Sequence, residues 1–160
     1  KDPDAVTDRQ KPVFFLNLSH TYFVAGQHKN ALLWVNRLLD DSSFAYRQDI
    51  QVNARMYAVI LHHEMGNTDL AESTSLSISR YLVKKSIGYN YEARVVRFLK
   101  NQLPRLHGPE ETREACLQLD NELKALAGTH RAGGFFDAWL ESKISGKTYE
   151  EIFQEKNIPS

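Results

Sequence analysis

The sequence predicts an all-α fold built from antiparallel helix pairs, with about seven to eight helices in total. Along nearly the whole chain, apolar residues recur at intervals of three and four positions, which is the spacing of one helix face. No stretch shows the sustained alternation of apolar and polar residues that is typical of a strand. Glycine and proline residues divide the chain into segments of helical length, and such residues commonly mark helix ends.

The composition is that of a folded globular protein. A chain of 160 residues is long enough for one domain, or for one array of short repeating units. Its 42% hydrophobic and 25% charged residues argue against wholesale disorder. The 20 basic and 20 acidic residues give a net charge of zero, which disfavours nucleic acid and anionic membranes as main partners. We interpret residues 1–160 as a single helical domain and expect it to belong to a longer protein.

The cysteine content and the apolar runs restrict the setting of the protein. Cys116 is the only cysteine, so the chain forms no internal disulfide and no zinc site with several cysteine ligands. No run approaches the roughly 20 apolar residues that a membrane-spanning helix needs, and we therefore expect no membrane insertion. We expect a bacterial protein that resides in the cytoplasm.

The first predicted helix pair covers residues 12–39. Proline suits a first helical turn and glycine suits the position after a helix end, so Pro12 and Gly26 bound the first helix. The second helix covers residues 29–39. The inward residues are Phe15, Leu18 and Tyr22 in the first helix, and Ala31, Leu32, Val35, Leu38 and Leu39 in the second.

The second predicted pair covers residues 49–84 and turns at Gly66. Its turn repeats the first one, because AGQHKNA at residues 25–31 is followed by MGNTDLA at residues 65–71. Glycine and alanine recur at the same offsets in the two segments, with a period of 40 residues. A fixed period in this range indicates stacked helical units.

The third predicted pair covers residues 90–128, and two short C-terminal helices cover residues 134–156. Pro104 and Pro109 separate the helices of the third pair, because proline disfavours helix in the residue before it. We place the end of the second of these helices at Gly128, where the glycine-bearing loop GTHRAGG begins. The apolar residues of the C-terminal helices are Phe135, Phe136, Trp139, Leu140, Tyr149, Ile152 and Phe153.

Residue sizes in the first pair follow a definite order. A large aromatic residue, a leucine, a small residue and a tyrosine are followed by a glycine at the turn, an alanine and two apolar residues. These are Phe15, Leu18, Ser19, Tyr22, Gly26, Ala31, Val35 and Leu38. This order resembles a tetratricopeptide repeat (TPR). The second pair departs from it at Arg55, where an aromatic residue belongs, and at Val59, where a small residue belongs. The resemblance covers residues 12–85 and implies pairs stacked as a TPR-like right-handed superhelical array.

The resemblance also implies a function. TPR-like arrays present a concave surface, formed by the first helix of each pair, to peptides or helices. We therefore expect a non-catalytic interaction or scaffold module that binds an apolar peptide or helix from a protein partner. The positions that correspond to the groove are Leu16, His20, Phe23, Met56, Ile60 and His63. Two alternatives remain: the groove is open to a partner, or another helix of the same chain fills it.

Two features invite a catalytic or metal-binding interpretation. A zinc metalloprotease helix needs His-Glu-x-x-His, but the position where the second ligand of His63 belongs is Asn67. Histidines at a helix C-terminus interact favourably with the helix dipole, and we interpret His62 and His63 in this way. Cys116 lies on the same helical stripe as Leu119, which favours a buried thiol over a nucleophile. We predict no catalytic residue, no metal site and no cofactor.

A basic helix face offers an alternative function. Arg94, Arg97 and Lys100 are spaced three apart and follow one helix face. This face is typical either of a solvated surface paired with acidic residues of the next helix, or of a regulatory domain that binds an acidic protein or, less readily, nucleic acid.

Overall fold

The computed structural model describes residues 7, 9–87, 90–126 and 134–157, and these ranges are helical with no β-strand. The predicted all-α fold is therefore confirmed. The predicted helix end at Gly128 and the loop after it up to residue 133 lie outside the described residues. The α-helices are α1 (Lys11–Val24), α2 (His28–Asp40), α3 (Gln48–Glu64), α4 (Thr68–Lys84), α5 (Asn90–Asn101), α6 (Pro109–Ala125), α7 (Phe135–Ser145) and α8 (Tyr149–Asn157).

The first two helix pairs end their first helices in the same way. Gly26 and Gly66 have φ values of 71° and 73°, a left-handed conformation that glycine adopts without a steric penalty. In the first turn the N–H of Gln27 donates to the carbonyl of Tyr22 at 2.8 Å, and in the second the N–H of Asn67 donates to that of His62 at 2.8 Å. The 40-residue sequence period is thus a repeat of turn geometry.

Small residues allow α1 and α2 to approach each other closely. Ser19 and Ala31 are both 0% exposed, and the Ser19 hydroxyl donates to the Ala31 carbonyl at 2.7 Å. The Tyr57 hydroxyl donates to the Ser19 carbonyl at 3.1 Å and so connects α3 to the same point. These bonds satisfy polar groups that burial would otherwise leave unpaired.

Helix α3 lies at the centre of the packing, since α1, α2, α4, α5 and α7 all contact it. The side chains of Ala54, Val59, Ile60 and Leu61 are completely buried there. Burying an isoleucine or leucine side chain stabilises the fold by about 1.5–3 kcal/mol. Helix α3 therefore provides the core against which the neighbouring helices pack.

The C-terminal half departs from simple stacking of consecutive pairs. Helix α5 ends at Asn101, and a 3₁₀ turn at Leu103–Arg105 follows because Pro104 interrupts the α-helix. Helix α6 packs more extensively on α7 than on α5. Through this contact the chain folds back, which brings α7 onto α3 and α8 onto α1.

Within the described ranges, no helix combines the length and the hydropathy that crossing a bilayer requires.

Candidate binding groove

The six residues proposed for the groove lie on the side of α1 and α3 that faces α7 and α8. Leu16, His20, Met56 and Ile60 line one cavity of about 610 Å³ between these two layers. Phe23 and His63 lie further along and line a second cavity, of about 730 Å³.

The chain's own C-terminal helices lie against this face. The ring of Phe135 at the start of α7 is centred 3.8 Å from that of Tyr57 and 4.9 Å from that of Phe23. Trp139, one helical turn later, packs edge-on against His63 with 6.5 Å between ring centres. Of the two alternatives that the sequence leaves open, the structure therefore shows the second: helices of the same chain cover the groove, and they leave a cavity beneath them.

Polar contacts fix α7 in this position. The indole N–H of Trp139 donates to Glu64 Oε1 at 2.8 Å, and the ammonium of Lys143 donates to the same oxygen at 2.7 Å. On the other side, the Tyr91 hydroxyl donates to Asp137 Oδ1 at 2.8 Å. The large apolar residues of α7 are also buried, with Trp139 only 1% exposed. Helix α7 thus forms one wall of the groove.

The charge state of Glu64 agrees with this arrangement. Burial alone raises the pKa of a carboxyl group, but the bonds from Lys143 and Trp139 outweigh that effect, so the pKa of Glu64 lies below its ordinary value. Glu64 is therefore an ionised acceptor at neutral pH, which strengthens both hydrogen bonds.

Helix α8 contacts the groove through aromatic rings arranged around His20. The α8 rings of Phe153 and Tyr149 are centred 5.1 and 5.5 Å from the imidazole, and the ring of Phe135 on α7 lies at 5.8 Å, each in an edge-to-face arrangement. The Tyr149 hydroxyl is hydrogen-bonded to His20 Nε2. Burial lowers the pKa of His20 and raises that of Tyr149, which favours a neutral imidazole that accepts from the phenol.

Sequence reasoning missed part of the groove lining, which includes Tyr149 and Phe153 of α8 and two asparagines. The exposed side chains of Asn17 and Asn53 line the cavity and supply polar groups at its rim. Asn53 lies three positions before Met56, so extending the groove stripe of α3 by one turn identifies it. An apolar floor with a few polar groups at the edge suits a peptide or a helix.

The structure also describes the surroundings of the other candidate site residues, His62, His63 and Cys116. His62 and His63 lie in the last turn of α3, and the described residues contain no group of three or more side chains placed to hold a metal. Cys116 is completely buried, which raises the pKa of its thiol to about 12. A thiol with that pKa stays protonated at neutral pH and is a poor nucleophile.

The basic face is divided by an ion pair. Arg94 bonds to Glu122 on α6 through two guanidinium nitrogens. Arg97 is exposed and Lys100 is partly exposed, and both line a shallow depression between α4 and α5. Val83, 80% exposed, also lines this depression. The face that remains for a partner is therefore smaller than the sequence indicates.

Comparisons with models of protein families, with curated protein sequences and with solved structures find no match to this chain. The helices pack in pairs and the turn between them repeats, which is compatible with a helical repeat fold.

Proposed function

We propose that this chain is a non-catalytic, TPR-like interaction module that binds an apolar peptide or helix in the groove between the α1–α3 layer and α7. The main support is the cluster of Tyr149, Phe153 and Phe135 around His20, in which helical segments already present aromatic side chains to this face. The cavity of about 610 Å³ beside the cluster leaves room for further side chains.

The electrostatics of the groove favour binding over catalysis. Catalytic groups commonly have pKa values shifted towards neutrality and face a substrate. Here the lowered pKa of Glu64 accompanies bonds to Trp139 and Lys143, and the lowered pKa of His20 accompanies burial among aromatic rings. Both groups thus serve contacts between helices. We also propose a cytoplasmic location, with which the unpaired Cys116 is compatible.

Peptide selection on the folded chain tests this proposal. Helical peptides are selected from a display library on the immobilised chain, and their affinities are measured by calorimetry. Asn53→Arg places a long charged side chain at the cavity rim and should weaken binding about tenfold, equivalent to about 1.4 kcal/mol. Asn36→Arg on the exposed surface of α2 is the matched control and should leave binding unchanged. Selected peptides that bind both variants equally well would place the binding surface elsewhere.

A second candidate function uses the remaining basic face. Arg97 and Lys100 flank the exposed Val83, and an apolar centre with a cationic rim suits an acidic amphipathic segment of another protein. Arg97→Glu combined with Lys100→Glu should abolish binding of an acidic amphipathic peptide, whereas Lys29→Glu on α2 should have no effect. Binding that survives the charge reversal would exclude this function.

A further inference from the structure

Helices α7 and α8 are attached to the groove by different means. The buried residues of α7 are Phe136, Ala138, Trp139, Leu140 and Ser142. Among the α8 side chains that the structure describes, only Ile152 is fully buried, at 1% exposure, while Tyr149 and Phe153 are half-buried. The remaining described side chains of α8 are charged or polar and exposed. Helix α8 therefore adheres through one narrow stripe, whereas α7 belongs to the core.

The stripe of α8 has a simple pattern. Tyr149, Ile152 and Phe153 occupy positions i, i+3 and i+4, which lie on one side of a helix. The ring of Tyr149 is centred 4.8 Å from that of Phe23 and 5.4 Å from that of Phe135. An ion pair of 2.7 Å between Lys156 and Glu141 adds little, because both side chains are 47% exposed.

Helix α8 is joined to α7 by a short connection. Gly146 ends α7 with a φ of 73°, and only Lys147 and Thr148 separate it from α8. Thr148 and Glu151 form a capping box, since the backbone N–H of each donates to a side-chain oxygen of the other, at 2.7 and 3.2 Å. The capping box helps α8 to remain helical when it leaves the groove, and the short tether keeps its local concentration high.

We infer that α8 is an internal substitute for the partner, and that the partner is a short amphipathic helix with two aromatic residues four positions apart and an aliphatic residue beside the second one. This inference rests on the proposed function, because it identifies the ligand of that groove. The partner helix places its aromatic residues around His20 and displaces α8, which stays tethered at Gly146. Its apparent dissociation constant is the intrinsic value divided by the fraction of molecules with α8 undocked.

A labelled peptide that copies α8 tests this inference on the full chain. The probe has the sequence of residues 146–157, with Gln154→Lys and a lactam bridge from this lysine to Glu150, since isolated helices of this length are marginal in water. Positions 150 and 154 are exposed and already bonded to each other at 3.1 Å, so the bridge leaves the stripe intact. Binding is measured by fluorescence anisotropy.

The chain variant Tyr149→Ala combined with Phe153→Ala loosens its own α8 and leaves the α1–α3 layer unchanged. We expect it to bind the probe at least about tenfold more tightly than the wild type does, as the competing occupant is weakened. The control variant Glu150→Ala combined with Gln154→Ala changes the outer side of α8 and should bind like the wild type. A probe that itself carries Tyr149→Ala and Phe153→Ala should not bind.

A milder variant covers the case in which the double alanine variant fails to fold. Tyr149→Phe keeps both rings and removes only the hydroxyl partner of His20, so we expect a gain in probe affinity of about threefold, roughly the net value of one hydrogen bond.

Three results would overturn the inference. The first is equal affinity of the probe for the wild type and for the loosened variants. The second is no binding of the probe to loosened variants whose circular dichroism shows native helix content. The third is dimerisation of the loosened variants that the probe inhibits. The last result would mean that a second copy of the chain, and not a separate partner, occupies the groove. In each case the proposed function still stands if Asn53→Arg blocks the binding of selected peptides that lack the aromatic pattern of α8. The failure of this inference and the failure of the proposed function are therefore distinguishable.

Discussion

Replacing Glu64 with alanine should lower the free energy of unfolding by about 2–4 kcal/mol. The indole N–H of Trp139, 1% exposed, loses its acceptor, and a buried donor without a partner costs about 1–3 kcal/mol. The ion pair with Lys143 is also lost. Its side chains are 28% and 20% exposed, so it contributes more than a typical surface pair and we assign it about 1 kcal/mol.

Glu64→Gln separates the two contributions. The amide keeps an oxygen that accepts from the indole but removes the negative charge, so the expected loss is only about 1 kcal/mol, mainly from the pair with Lys143. Urea unfolding measures both variants. Trp34 and Trp139 are the only tryptophans, and Trp34→Phe leaves Trp139 as the sole indole reporter of the α3–α7 contact.

Comparing Glu64→Ala with Glu64→Gln shows how much the indole hydrogen bond contributes to the free energy of unfolding. If Glu64→Ala and Glu64→Gln have equal effects, the indole bond contributes nothing to the free energy of unfolding. If neither substitution changes the midpoint or the Trp139 emission, the contact between α3 and α7 described above is wrong.

Three further predictions concern the packing of the α1–α3 layer and its pH dependence. Tyr57→Phe removes the bond to the Ser19 carbonyl and should cost about 0.5–1.5 kcal/mol in urea unfolding; an unchanged midpoint would contradict it. Gly66→Ala imposes a φ of 73° on a residue with a Cβ atom and should lower the free energy of unfolding by about 1 kcal/mol. Backbone strain alone causes this loss, because open space surrounds the site. An unchanged free energy of unfolding would show that the turn has relaxed. Burial lowers the pKa values of His20 and His63 in the folded protein below the value of about 6.5 that a histidine has in the unfolded chain. Just below pH 6.5 the unfolded chain therefore binds more protons than the folded protein, and the free energy of unfolding should fall as the pH drops through this range. Unfolding midpoints measured between about pH 7.5 and 5.5 check this, and His20→Gln should flatten the slope.

Local features of the fold were accessible from the sequence because short-range physics determines them. The helix spacing and the glycines at positions 26 and 66 predicted the first two pairs and their turns, and the structure has both. The 3₁₀ turn at Leu103–Arg105 was missed, since the apolar spacing continues to Leu103 although Pro104 prevents further α-helix.

The contacts around the groove were harder to predict from the sequence. Trp139 and Glu64 are 75 positions apart, and nothing in the local spacing of either helix indicates that they meet. The same holds for His20 and Tyr149, which are separated by 129 positions. Because such contacts depend on how α6 returns the chain, the sequence supported both an open and a filled groove and did not decide between them.

The separation between α1 and α8 affects the protein during its synthesis. A ribosome adds about 5–20 residues per second, so the aromatic surface of α1 and α3 leaves the exit tunnel several seconds before Tyr149 and Phe153. This aromatic surface is therefore exposed to solvent on the nascent chain for a short period in every round of translation. Chaperones and neighbouring nascent chains have access to it then, before the molecule can shield itself.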